Sequence, residues 1–172
     1  MFRVAASAAI LSAATGAARA GEGESALSGS LGWATYATPG KDGMTAHPSI
    51  GGVAAITYER GISEALSWRV SVAGGGFAGD GGSGAGWLAG GLVYRFDVLK
   101  YVPYALVGVG GIGLGGGPLP GGFDPLLELG GGLDVLSSRD RSWGVEARLG
   151  SFAGNTTIFT IGVRRTWRWG YF

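Results

Sequence analysis

The sequence predicts an all-β fold: eight antiparallel strands in an up-and-down meander, closed into a barrel that crosses a membrane. Three observations predict it. Segments of roughly ten residues alternate apolar and polar positions, the length that a tilted membrane strand requires. The connections between these segments alternate long and short. The aromatic residues gather at the two ends of the segments. Beyond residue 20, no apolar run reaches the length of a membrane helix before glycine or charge breaks it. Backbone groups in hydrocarbon need internal partners, and only helices and closed barrels supply them all.

The final stretch, residues 155–172 (NTTIFTIGVRRTWRWGYF), shows the pattern most plainly. Phe159, Ile161, Val163, Trp167 and Trp169 fall on one face, and Thr160, Gly162, Arg164, Thr166 and Arg168 on the other. Side chains on a strand change faces at every residue, so this strand is apolar on one side and ionic on the other. Apolar residues toward lipid, polar residues toward a lumen and aromatics at the interfaces describe a membrane barrel strand. On these residues the chain resembles the small eight-stranded outer-membrane β-barrel family, of the OmpA-transmembrane and OmpX-like type. The resemblance implies that the barrel assembly machinery reads the aromatic C-terminal strand. Two features depart from the pattern: Arg165 lies on the apolar face, and Gly170-Tyr171-Phe172 break the alternation.

At the other end, residues 1–20 (MFRVAASAAILSAATGAARA) read as a secretory leader. Arg3 is its positive start, residues 4–14 its short apolar run, and Ala18-Arg19-Ala20 its small-x-small cleavage site. Residues 21–172 are then the barrel domain. Glycine makes up 37 of the 172 residues, about three times the usual share, without a three-residue period, so collagen is excluded. Too many Val, Leu, Ile and aromatic residues remain for simple disorder. Loss of Arg3 and Arg19 with the leader takes the 13 basic residues to 11, against 12 acidic ones. That balance gives no reason to expect a nucleic-acid partner. Cysteine is absent, which excludes disulfides and thiolate metal sites.

Taken in order, residues 25–37 form the first expected strand, with Leu27, Leu31 and Trp33 outward and Ser28, Ser30 and Ala34 inward. A polar loop, 38–48, leads to 49–60, where Ile50, Ala54, Ile56 and Tyr58 face out and Thr57 and Glu59 face in. After a tight turn at 61–65, residues 66–77 set Trp68, Val70 and Val72 against Arg69, Ser71 and Ala73. A glycine-rich loop, 78–84, precedes 85–96, with Leu88, Leu92, Tyr94 and Phe96 out and Arg95 in. The turn 97–100 returns into 101–114, whose run YVPYALVGVGG also resembles a segment of the barrel family. Pro103 is tolerable there because a strand start can lose a ladder donor. The loop 115–124 leads to 125–136, with Leu127, Leu129, Leu133 and Val135 out and Glu128 and Asp134 in. A polar turn, 137–141, gives way to 142–152, where Trp143, Val145, Ala147 and Leu149 oppose Glu146 and Arg148. The last loop, 153–155, is short, an exception to the alternation of long and short connections.

The layout predicts two aromatic girdles. Tyr58, Trp68, Tyr94, Phe96, Tyr101, Tyr104, Trp143, Trp167 and Trp169 fall at the turn end, and Trp33, Tyr36, Phe77, Trp87, Phe152 and Phe159 at the loop end. Amphipathic rings favour the headgroup layers. Inward positions collect Glu59, Arg69, Arg95, Glu128, Asp134, Glu146, Arg148, Arg164 and Arg168. An eight-stranded barrel holds only its own side chains, and buried charges need partners, so these should pair. Asp134, Glu146, Arg148 and Arg164 lie on three successive strands and should form one connected group. The functional interpretation of that group is an ion path or proton-sensitive gate; the structural one is a plug of salt bridges, which the narrow lumen favours.

Elsewhere the chemistry is thin. His47, the single histidine, sits in the first loop beside Thr45 and Ser49. A hydrolase would need it oriented by a carboxylate and within reach of a serine, and the loop offers no such set. The glycine runs at 73–86 and 108–117 lack the Gly-Lys-Ser/Thr of a phosphate loop, and Asp80 and Asp124 lack the spaced carboxylates of a calcium site. No catalytic, cofactor-binding or metal-ligating residue is assigned, and no cofactor is expected. The expected protein is a non-enzymatic, monomeric barrel in the outer membrane of a Gram-negative bacterium, with membrane lipid and the assembly machinery as partners. Its alternatives are a narrow porin-like channel, a lipid-modifying outer-membrane enzyme and a soluble exported β-sandwich.

Overall fold

The computed structural model describes residues 22–37, 49–78, 82–96, 100–116, 122–152 and 156–170. The leader, His47, Asp80, Tyr171 and Phe172 lie outside the described residues. The strands are β1 (Ser25–Ala37), β2 (Ser49–Gly61), β3 (Leu66–Ala78), β4 (Ser83–Arg95), β5 (Tyr101–Gly115), β6 (Gly122–Ser138), β7 (Arg141–Phe152) and β8 (Thr156–Trp169). Each pairs antiparallel with its neighbours in sequence, and β1 pairs with β8 from Ser25↔Trp169 to Ala37↔Thr157, which closes the barrel. No strand edge is left unpaired, as a membrane barrel requires.

The two-residue rhythm sorts the side chains as the sequence predicts. On β8, Arg164 is 3 % exposed while neighbouring Val163 is 56 % exposed; on β7, Glu146 and Val145 stand at 6 % and 53 %. The outer face carries Leu31, Ile56, Val72, Leu88, Val109, Leu129 and Ile161, all exposed. A soluble β-sandwich would bury this apolar set and turn its charges outward, and here the reverse is found.

Several strand ends differ from expectation. β4 begins at Ser83 and ends at Arg95, two residues earlier and one residue earlier than the alternation suggests. β6 is the longest strand, with 17 residues, and runs through Asp124 and Pro125, which the sequence suggests are loop or strand start. Pro125 pairs on the β5 side with Gly111, whereas the β7 ladder begins only at Leu126↔Phe152, so a missing N–H is tolerated there. At the far end of β6 a register shift between Leu136 and Ser138 lengthens the strand into the turn.

That turn is well closed. Ser138 Oγ donates to Asp140 Oδ1 at 2.6 Å, and the Arg168 amide donates to the Asp140 carbonyl at 2.8 Å. The Ser138 hydroxyl, with a backbone donor and Arg141 behind it, holds the exposed Asp140 carboxyl below its ordinary pKa. Because the folded value is depressed, the contribution is present above the unfolded pKa and is lost as pH falls through the folded one. Ser138→Ala should therefore raise the Asp140 midpoint in an NMR titration of the barrel; an unchanged midpoint would remove the serine from this account.

The main correction concerns the aromatics. Tyr58, Trp68, Tyr94, Phe96, Tyr101, Trp143, Trp167 and Trp169 stand on the outer face around the turn end, but Tyr104 is buried inside. Of the aromatics expected at the loop end, only Trp33 and Phe159 face outward, ring against ring at 6.2 Å, and they are joined there by the exposed Phe123 of β6. Tyr36, Phe77, Trp87 and Phe152 are buried within the barrel, so the expected loop-end girdle is an internal cluster instead. The reason is parity. Tyr36 shares its face with Ala34, Phe77 with Ala73, and Phe152 with Arg148, all of which point inward.

Candidate functional site

The lumen has two layers. In the half nearest the turns, polar and charged side chains of seven strands converge with Tyr104 of β5, beside a small buried group of Val93, Tyr104 and Leu106; in the half nearest the loops, apolar side chains do.

The ionic layer is built around Glu146 of β7 and Arg164 of β8. Glu146 Oε2 accepts from Arg69 Nη1 at 3.0 Å, from Arg164 Nη1 at 3.0 Å and from the Tyr104 hydroxyl at 2.8 Å. Its other oxygen accepts from Arg148 Nε at 2.6 Å. Arg164 in turn reaches Glu59 Oε1 at 3.2 Å, Ser28 Oγ at 3.2 Å and Asp134 Oδ1 at 3.4 Å, and its guanidinium lies 4.9 Å from the centre of the Tyr104 ring. Arg148 continues to Glu128, Arg95 bridges Glu59 and Ser67, and Arg168 joins Asp134 to Glu24. The network holds five arginines, Arg69, Arg95, Arg148, Arg164 and Arg168, against five acids, Glu24, Glu59, Glu128, Asp134 and Glu146. Equal numbers leave no net charge in the narrow interior.

The sequence places nine of these ten charges inside, and the structure brings together the four predicted to connect: Arg164 touches both Asp134 and Glu146, and Arg148 touches Glu146. Sequence reasoning missed Glu24, which precedes β1 and therefore has no strand parity to read, and Tyr104, whose inward parity with Leu106 was legible. Glycine makes the packing possible. A Cβ on Gly132 would collide with the Tyr104 hydroxyl, and one on Gly144 with the Asp134 carboxylate. Each large polar group thus occupies space that a glycine on the neighbouring strand leaves free.

Toward the loops, Tyr36, Phe77, Trp87, Ile112, Leu114, Leu126, Phe152 and Ile158 pack with Ala34, Ala73 and Ala85 into one buried cluster. Tyr36 and Phe77 meet edge to face at 4.9 Å, and the Tyr36 hydroxyl is satisfied by Ser83 at 2.9 Å. A cavity of about 30 Å³ lies where the layers meet, lined by Ser30, Ala73, Trp87, Glu146, Arg148 and Thr160 among others. Such a space suits a water molecule rather than a ligand.

No cluster of three or more potential metal ligands occurs among the described residues. Three lumenal hydroxyls are engaged, Ser28 with Thr166 at 2.9 Å, Ser67 with Arg95 at 2.7 Å and Ser142 with Asp134 at 3.4 Å, whereas the buried Ser71 hydroxyl has no hydrogen-bond partner among the described residues. Arg165, on the apolar outer face as expected, lies over Trp143 at 4.7 Å and Trp167 at 5.3 Å.

No family model matches the chain, and no curated protein matches its sequence. Among solved structures it is similar to neisserial surface protein A, with a TM-score of 0.70 and 12 % identity over 85 % of this chain and 99 % of that one. It is similar also to Ail, the attachment invasion locus protein of Yersinia pestis, with a TM-score of 0.59 and 17 % identity over 86 % and 99 %. The outer membrane enzyme PagL shares the architecture too, with a TM-score of 0.54 and 15 % identity over 82 % and 97 %. The chain has the fold of the small eight-stranded outer-membrane β-barrels.

Proposed function

We propose that this chain is a non-enzymatic barrel of the Gram-negative outer membrane, exported by its leader, with an envelope-structural or surface-interaction role. The observation that carries this reading is the doubly filled lumen: among the described residues, a charge-balanced ionic layer lies beneath an apolar one, with a water-sized cavity of about 30 Å³ where they meet. A conducting pore needs a continuous polar path, and a catalytic site needs a polar group left available for substrate. The engagement of Ser28, Ser67 and Ser142 with charged or hydroxyl partners supports the non-enzymatic reading, and Ser71, whose hydroxyl has no partner among the described residues, is buried in the wall. The apolar exterior supports lipid as the surrounding partner, the aromatic C-terminal strand supports recognition by the assembly machinery, and the closure of the sheet on itself supports a monomer. The fold itself does not choose a role, since one similar structure is described as a surface protein, another as an attachment invasion protein and a third as an enzyme.

The purified mature chain in a planar bilayer should show no discrete conductance steps. Steps of steady amplitude would overturn the filled lumen. Altered lipid A acylation in cells carrying His47→Ala would instead favour the enzyme.

A further inference from the structure

Arg165 is a cation placed where lipid should be. It lies on the outer face between Val163 and Trp167, paired across the sheet with Trp143 on one side and Gly29 on the other. Every lumenal arginine has a carboxylate; Arg165 has none among the described residues, and its Nε–H is shielded without an acceptor. Its guanidinium is clasped by the rings of Trp143 and Trp167, the second of which lies nearer the turn end. Trp167 places the group on the turn-end side, where the headgroup layer lies, and a planar guanidinium with no carboxylate partner can take an oxyanion on its Nη groups.

Beside it the barrel wall is indented. Gly29 faces outward with nothing within 4 Å of where a Cβ would stand, and Ala54 is also small. Leu31, Ile56, Val163 and Trp143 form the walls of the resulting groove, which has a volume of about 390 Å³ and Arg165 at its rim. An apolar slot ending in one unpaired guanidinium is complementary to an acyl chain ending in a phosphodiester.

We propose that Arg165, Trp143 and Trp167 bind the phosphate of a phospholipid in the leaflet bordering the turn end, with one acyl chain lying in the Gly29 groove. This site rests on the membrane reading above. The test uses the full mature chain, released from detergent in a native mass spectrometer after addition of dioleoyl phosphatidylglycerol. Wild type should retain lipid adducts; Arg165→Gln should bind roughly tenfold more weakly, the loss of a charge-assisted hydrogen-bonding group. Arg165→Lys, which keeps the charge without the planar fork, should fall between them, and Gly29→Phe should fill the slot and release lipid with Arg165 untouched. Glycerophosphoglycerol, which has the headgroup but no chains, should not compete; equal competition by it would overturn the lipid in favour of a free-phosphate site. Each variant is checked for a mobility difference between unboiled and boiled samples. Loss of that difference in the wild type would sink the membrane reading, whereas folded barrels that retain lipid equally with and without Arg165 would sink the site alone.

Discussion

Glu146→Ala should lower the stability of the barrel by about 3–5 kcal/mol, the cost of breaking a buried ion pair by removing one partner. The carboxylate is the meeting point of Arg69, Arg148 and Arg164, and it also accepts from Tyr104. Its removal leaves three desolvated guanidiniums facing one another around a void. Glu128 still holds Arg148, and Glu59 and Asp134 still hold Arg164, but Arg69 keeps only Thr57 at 3.3 Å. Glu146→Gln should recover little, because the amide nitrogen adds donors where donors already crowd. Asp140→Ala, in the exposed turn, should leave the unfolding midpoint close to that of wild type. Urea unfolding in lipid vesicles, followed by tryptophan fluorescence, reads both variants. A midpoint for Glu146→Ala equal to that of wild type would show that the network is not a structural unit. In a double-mutant cycle with Arg164→Ala, the two losses should be strongly non-additive.

The second large effect is expected at the other layer. Trp87→Ala removes a buried ring that borders both the cavity of about 30 Å³ and a smaller one of about 10 Å³ toward Leu126 and Ile158. Truncating a buried tryptophan costs about 3–5 kcal/mol, and here the space it vacates joins the two cavities. The result should be a hydrated passage from the loop end down to Arg148 and Glu128. In planar bilayers the variant should gain small conductance steps that wild type lacks. Silent bilayers with a normal unfolding midpoint would mean that neighbouring side chains collapse into the gap and that Trp87 is not what closes this half.

Together these variants separate the two layers physically. The ionic one is held by directional contacts that leave a costly remainder when one member is lost. The apolar one is held by volume, so its failure should appear first as permeability.

Much of this was legible beforehand. The alternation on β8 assigned Arg164 and Arg168 to the lumen and Ile161 and Val163 to the outside without reference to any partner strand. The same rhythm held on β3, β6 and β7, because a side-chain period of two allows only two faces. Strand ends were less legible at β4 and β6, where glycine and proline imitate a loop but the neighbouring ladder continues. The loop-end aromatics were misplaced for a different reason. Position along the strand puts Tyr36, Phe77, Trp87 and Phe152 at the height of a headgroup layer, but their parity turns them inward.

From the chain alone came the class of fold, the number of strands, the inward charge set and the oddity of Arg165. Those follow from a local rule, the flip of the side chain at each residue. Pairing within the lumen was decided by the closed sheet, because the stagger between strands sets which inward groups share a level. Only that stagger could bring Glu146 beneath Arg69 from the far side of the barrel, give Tyr104 the space above Gly132, and set a bare Gly29 beside an arginine clasped by two tryptophans.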